Sequence, residues 1–458
     1  MRTPIADFCR EYSQQNKTRL HMPGHKGLGM LGVEALDLTE VKGADSLYEA
    51  EGIIAESEAN AAKLFGSRRT FYSAGGSSQS IRAMCLLACQ HWLRDHEGTP
   101  LILAGRNAHK SFVQASQLIG FDVEWMASEV DYSLCRCAIS PDGLEMHLER
   151  VMSEGRKVAA VYVTSPDYLG HVLDLRGLAD VAHRYGTLLL VDNAHGAYLK
   201  FLPEDIHPMT LGADACADSA HKTLPVLTGG GYLHIGAGAP EGFEDTARDA
   251  MCLFGSTSPS YLVLQSLDLA NDWLEKTAPA AFSKTVERVD AVKALMQSEG
   301  LTLTGDEPLK VTVDCASSHI GSGTVFADRL RDFDIECEYA DRDAVVLMFA
   351  PNNTNEDHEK LSIAVHMLMQ VQKLMPESDP ERPGFSNRLP ERVLTPRDVL
   401  LHPTETIPVS DAEGRIAADV HIGCPPAVLP VVPGEKVDRN AVAVMDYYGI
   451  RSISVLKD

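Results

Sequence analysis

The sequence predicts an α/β protein: a large domain with a mostly parallel sheet, a smaller α/β domain and an extra C-terminal domain. Three observations predict it. Between about 70 and 240, short apolar runs alternate with amphipathic stretches, the pattern of buried strands separated by helices. A shorter alternation of the same kind follows to about 375. A polar, proline-rich stretch then reads as a linker, Pro376-Glu377-Ser378-Asp379-Pro380-Glu381-Arg382-Pro383-Gly384. At 458 residues the chain is also too long for one ordinary core.

The elements follow in order. Ser78 to Asp95 carries a helical pattern, and Leu101-Ile102-Leu103-Ala104 reads as a strand. Val158 to Val163 is a second strand, Leu175 to Tyr185 a helix, Thr187 to Val191 a third strand, and Gly231 to Ile235 a fourth. Ser260 to Gly300 reads as one or two long helices. Leu309 to Cys315 and Ala344 to Ala350 are β runs, with a helical pattern over 322–332 between them. The last segment holds short β-like runs and turns such as Pro425-Pro426 and Pro433-Gly434. The expected layout is an N-terminal arm (1–35), a large domain (36–270), a small domain (271–375), the linker (376–389) and a C-terminal domain (390–458).

Composition excludes several classes. The 41 Lys+Arg against 64 Asp+Glu give a net charge of -23, with no basic stripe. Binding to nucleic acid or to an anionic membrane is therefore not expected. An acidic field draws in cations and suits a basic substrate, although acidity also serves solubility alone. The N-terminus lacks the apolar core of a signal peptide. No apolar run approaches the ~20 residues of a spanning helix. The ten cysteines are scattered without a CxxC pair, so a reduced, cytoplasmic protein is expected.

Four local features match the working parts of a pyridoxal 5'-phosphate (PLP) site. Asp192 ends the apolar strand Leu189-Leu190-Val191-Asp192, and carboxyl ends of parallel strands open onto the ligand crevice. A carboxylate there can keep a pyridine nitrogen protonated, with Ala194 beside it letting a ring lie close. Taken alone, Asp192 reads equally well as the cap of a turn. Lys222 stands in Ser219-Ala220-His221-Lys222-Thr223-Leu224-Pro225 and is followed by Gly229-Gly230-Gly231. A lysine that forms a Schiff base needs its free amine, which burial and a positive pocket supply. The turn Ser73-Ala74-Gly75-Gly76-Ser77-Ser78 opens a helix, where backbone N–H groups and hydroxyls suit a phosphate. A plain N-cap would look the same. His109 follows the strand at 101–104, so it sits at the same kind of loop and can stack on a flat cofactor or donate a proton.

Together these residues resemble the ornithine/lysine/arginine decarboxylases, PLP enzymes of the aspartate-aminotransferase-like fold type I. His21-Met22-Pro23-Gly24-His25-Lys26-Gly27 looks like the opening of the family's shorter members. Thr39 to Asp45, Ser165-Pro166-Asp167-Tyr168-Leu169-Gly170 and Ser256-Thr257-Ser258-Pro259-Ser260-Tyr261 resemble later blocks. The resemblance implies that Lys222 carries PLP, that Asp192 pairs with the pyridine nitrogen, and that His109 and Ala194 lie on the two ring faces. Gly76, Ser77, Ser78, Ser219 and His221 would hold the phosphate or the Lys222 surroundings. Lys222 or His221 would return the proton, and Ser256 or Thr257 would reach a neighbouring subunit's cofactor. It implies α-decarboxylation of arginine, lysine or ornithine in a homodimer or higher homo-oligomer with active sites at the dimer interface, and no metal.

The chain departs from the family at Ser46 and Tyr48, at Asp167, at Ala417-Ala418-Asp419 and at Gly423-Cys424. These positions leave the substrate open, and Asp45, Asp167 and Asp419 are the carboxylates considered for its distal cation. Transamination or β-elimination on the same fold, and a non-catalytic regulatory relative, are the alternatives.

Overall fold

The computed structural model describes residues 1–15, 17–130, 133–374, 389–423 and 426–457. Residues 376–388 of the expected linker, and Cys424, lie outside the described residues. The chain forms two compact units that interleave along the sequence. The first is Met1–Ile102, Leu148–Val163 and Leu175–Ala280; the second is Leu103–His147, Thr164–Asp174 and Ala281–Asp458.

The large sheet is built from β1 (Arg69–Ser73), β2 (Leu101–Gly105), β3 (Asp122–Met126), β4 (Val158–Thr164), β5 (Leu188–Asp192), β6 (Ala215–Asp218) and β7 (Gly231–Ile235). Its strand order is β1-β7-β6-β5-β4-β2-β3. The sheet is mixed and mostly parallel. β5 and β6 run parallel, while β7 is antiparallel to both β6 and β1. Every residue of β5 and β6 is buried, which is why β5 reads as a continuous apolar run rather than an alternating one. β6 is Ala-Cys-Ala-Asp, four residues with no branched side chain. The sequence reading passed over it, as it passed over β1 and β3.

Helix Gly76–Trp92 packs against β5, β6 and β7 through buried Ile81, Met84, Cys85 and Ala88. The expected 260–300 helix is two: Tyr261–Lys276 and Ala278–Ser298. Thr277 interrupts them at φ -120°, ψ -37°, and Pro279 sits in the first turn of the second helix, where its missing N–H removes nothing.

The second unit carries two antiparallel sheets. One is ordered β10-β11-β9-β8, from β8 (Thr302–Thr304), β9 (Lys310–Asp314), β10 (Tyr339–Ala340) and β11 (Ala344–Met348). The other is β12-β14-β13, from β12 (Thr404–Pro408), β13 (Ala417–Val420) and β14 (Ser452–Leu456). Tyr447 and Tyr448 direct their hydroxyls to buried Asp343 at 2.7 and 3.2 Å. Arg106 pairs with buried Glu435 at 2.8 Å. Among the described residues, no helix is long and apolar enough to cross a membrane.

Candidate active site

The site forms at the carboxyl end of β5 and β6, within the first unit. Asp192 is the last residue of β5 and is buried. Its carboxylate accepts the Tyr162 hydroxyl at 3.0 Å and the Ala194 N–H at 3.2 Å. Among the described residues no Lys, Arg or His forms an ion pair with it. Burial pushes its pKa up to about 6, although the Tyr162 hydroxyl and the Lys222 charge both hold it down.

Lys222 follows β6 in the short helix Ala220–Thr223. Its Nζ lies 3.0 Å from His195 Nε2. The imidazole comes from the turn after Asp192, so both groups are carried by the same strand end. His195 has no role in the sequence analysis. Its signal was the spacing from Asp192, which puts it in the loop that Lys222 must approach.

The glycine turn lies beside Lys222. Gly75 caps helix Gly76–Trp92 without any side-chain cap bond, and the Gly76 N–H donates to the Gly229 carbonyl at 2.7 Å. Gly76 has φ +66°, a left-handed conformation that glycine adopts without strain. A side chain on Gly231 would sit 2.7 Å from the Asp218 carbonyl and 3.0 Å from Gly76 C, so this approach requires a bare backbone. Ser219 Oγ donates to Ser77 Oγ at 2.8 Å, which ties the helix start to the lysine loop. His221 Nδ1 lies 2.8 Å from the Gly230 carbonyl. Ser73 Oγ lies 2.8 Å from the Gly76 carbonyl and 2.7 Å from Gln79 Oε1, with one proton to share between them, which locks the turn.

The first unit thus brings together Gly76, Ser77, Asp192, Ala194, Ser219, His221 and Lys222. Ser78 follows in the first turn of the same helix. Thr257 is exposed in the loop before Tyr261. His109 belongs to the second unit, where its Nδ1 accepts the Ser111 N–H at 3.1 Å as the cap of helix Lys110–Ile119.

The family described as Orn/Lys/Arg decarboxylase, major domain, matches residues 3–316, and its C-terminal domain matches residues 377–453. The chain belongs to the Orn/Lys/Arg decarboxylase family. Among similar proteins, the arginine decarboxylase of Bacillus subtilis is 29% identical over 96% of this chain and 92% of its own length. The arginine decarboxylase of Bacillus anthracis is 28% identical over 96% and 91%. Among solved structures, the lysine decarboxylase of Francisella novicida superposes with a TM-score of 0.80 at 17% identity, over 99% of this chain and 81% of that one. That likeness establishes the fold. This decarboxylase is therefore an amino-acid carboxy-lyase of the PLP-dependent fold type I architecture.

Its residues fit that group. Asp192 offers a buried acceptor with no ion pair among the described residues, Ser77 and Ser219 offer hydroxyls at the start of the helix, and Lys222 offers an amine beside an imidazole. The carboxylates considered for substrate are otherwise engaged. Asp45 accepts the N–H groups of Ser46, Gly52 and Ile54 at 2.8 to 3.1 Å. Asp167 pairs with His171 at 2.9 Å, and Asp419 with Lys110 at 2.8 Å. Tyr48, one of the departures, accepts the Gln79 amide at 3.0 Å, which links it to the glycine turn.

Proposed function

We propose that this decarboxylase binds PLP covalently at Lys222 and removes the α-carboxyl group of a basic amino acid, arginine first. The observation that carries the cofactor assignment is Asp192, a buried carboxylate with no ion pair among the described residues, at the same sheet edge as Lys222. Support for arginine is the naming of the full-length relatives from Bacillus subtilis and Bacillus anthracis.

When bound, PLP supplies an electron sink for the bond that breaks. Asp192 keeps the ring nitrogen protonated, and its own affinity for a proton falls once that cation is beside it. Ser77, Ser78 and Ser219 would hold the phosphate at the start of the helix through hydroxyls and backbone N–H groups, with Gly76 shaping the turn. Ala194 would lie against one face of the ring. His195 orients Lys222 Nζ and takes up its proton, since the lysine reacts only as the free amine. Lys222, with His221 as the second candidate, returns a proton to the α-carbon. Asp45, Asp167 and Asp419 are already satisfied within the chain, so the distal cation of the substrate requires either a rearrangement there or a carboxylate elsewhere.

The working unit is a homodimer or larger homo-oligomer with Thr257 turned to a neighbour's site. Supporting this, Leu20, Leu28, Met30 and Leu31 of the N-terminal arm are each at least 80% exposed, a patch that a second copy would cover. The arm (1–35), large (36–270), small (271–375) and C-terminal (390–458) domains remain the proposed layout. The nine described cysteines are all free, seven of them buried, which supports a reducing, cytoplasmic setting.

The test is a panel of amino acids incubated with the PLP-loaded protein and scored for amine and carbon dioxide. Amine from arginine, lysine or ornithine is expected. A keto acid in place of carbon dioxide would overturn decarboxylation. A Lys222→Ala protein that still gave a borohydride-reducible PLP adduct in the active site would overturn the cofactor assignment.

A further inference from the structure

We propose that a second ligand site, for a small organic anion, lies at the edge of the large sheet opposite Lys222 and Asp192. It is a cavity of about 640 Å³, wholly within the first unit, at the ends where β4 and β5 begin with Val158 and Leu188. Four residues of β5 separate that edge from Asp192, or ~13 Å at the usual strand rise. The volume lies in the range of small-molecule sites. No residue assigned to the decarboxylation lines it.

Three buried polar atoms on its wall make no hydrogen bond: Trp92 Nε1, Thr187 Oγ1 and His91 Nδ1. Trp92 is 9% exposed and Thr187 3% exposed. An indole N–H can only donate, and burying such a group unmet is unfavourable. The indole is also held in orientation, since its ring stacks on His96 at 4.8 Å and 15°. The wall therefore presents a fixed donor with nothing of its own to receive it.

Charge selects the acceptor. Lys157 lines the cavity and makes no ion pair among the described residues. Arg156 reaches the exposed Glu154 at 3.6 Å. His183 Nε2 lies 2.8 Å from Asp214, and that bond raises its pKa against the opposing effect of burial. Asp214 is used up, because it also accepts the Leu189 N–H at 2.8 Å. Arg156 and Lys157 match Asp95 and Asp214 in number along the lining, in a chain whose net charge is -23, so Lys157 is the cation left for a ligand. Met152, Val158 and Leu188 make the remainder apolar. The complement is a carboxylate or phosphate on an apolar or aromatic body.

Phenyl phosphate is the probe, titrated into the PLP-loaded enzyme and followed by calorimetry, with inorganic phosphate and phenol as its two halves. Saturable binding of one molecule per chain is expected, tighter than either half. Lys157→Ala, at an exposed position that leaves the fold alone, weakens binding about 10-fold. Trp92→Phe keeps the ring and removes the donor, for a similar loss. Neither variant alters the decarboxylation rate. Absence of saturable binding would mean that water satisfies the three atoms, and the proposal falls. It falls equally if both variants bind as the parent does, or if phenyl phosphate is displaced by the amino-acid substrate. Equal affinity for inorganic phosphate would overturn the organic body.

Discussion

Asp192 and Asp218 end neighbouring parallel strands, and both carboxylates are buried, yet their surroundings are opposite. Asp218 is saturated by its own protein. His207 Nε2 lies 3.0 Å away, His234 Nε2 3.3 Å away, and Asn193 donates at 2.7 Å. His207 Nδ1 accepts the Met209 N–H, so its Nε2 carries the proton that Asp218 receives. Burial alone would push Asp218 up, but the two histidines more than offset it and its pKa falls well below the usual range. Among the described residues Asp192 receives only a phenol and one backbone N–H, and burial raises its pKa to about 6. The comparison separates a carboxylate satisfied within the fold from one that burial leaves short of partners, the one proposed above to receive a cation.

The largest effect that sharpens this contrast is on turnover. Asp192→Asn keeps the shape and removes the charge, so the loaded enzyme loses the group that holds the ring nitrogen protonated. The rate constant for decarboxylation falls by on the order of 10⁴-fold, ~5.5 kcal/mol of transition-state free energy. A fall under tenfold, measured as carbon dioxide release at saturating substrate, would break the assignment.

Next is the structural partner. Asp218→Asn removes the charge that two buried histidines face, and lowers unfolding free energy at pH 7 by about 3–5 kcal/mol, read from urea titration. Its folded pKa is depressed, so the contribution is present above the unfolded value of 3.8 and is lost as pH falls through the folded one. The parent and variant curves therefore converge in acid.

The same Asn at Asp192 should act on stability with the reverse sign. In the cofactor-free protein the folded pKa is about 6 against 3.8. The folded state holds the extra proton, so stability declines as pH rises from 3.8 to 6 and stays lower above it. Asp192→Asn avoids that decline and stabilises the cofactor-free chain by about 3 kcal/mol at pH 8, with no gain near pH 4. Equal urea midpoints at pH 8 would show that Asp192 carries no unmet charge.

The contrast also explains what could be read from the residues. Lys222 and Asp192 were legible because each sits in a short run with distinctive neighbours, and because β5 is apolar at every position before Asp192. Asp218 was not, since β6 offers only Ala, Cys and Ala ahead of it, and its partners His207 and His234 are 11 and 16 residues away. Pairings of that kind appear only once the strands are ordered. Tyr162 lay inside a recognised strand, but a run buried on both faces hides which face each residue takes. The cavity behind Trp92 was hidden similarly, being assembled from a helix end and the starts of two strands.

The smallest effect tests Tyr162 itself. Its hydroxyl donates to Asp192 at 3.0 Å and is one of only two hydrogen bonds that the carboxylate receives among the described residues. Tyr162→Phe removes a bond to a charged acceptor, which is worth about 1.5–3 kcal/mol. In the cofactor-free protein the loss of stability is therefore about 2 kcal/mol at pH 8, where Asp192 is ionised. Near pH 4 Asp192 is protonated and a neutral bond is lost instead, so the difference shrinks to about 1 kcal/mol. With PLP bound, the ring cation supports the carboxylate directly, and absorbance of the bound cofactor against pH reports the balance. Tyr162→Phe shifts that titration, because Asp192 loses the donor that held its pKa down and competes harder for the proton. An unchanged titration would make Tyr162 a packing residue alone.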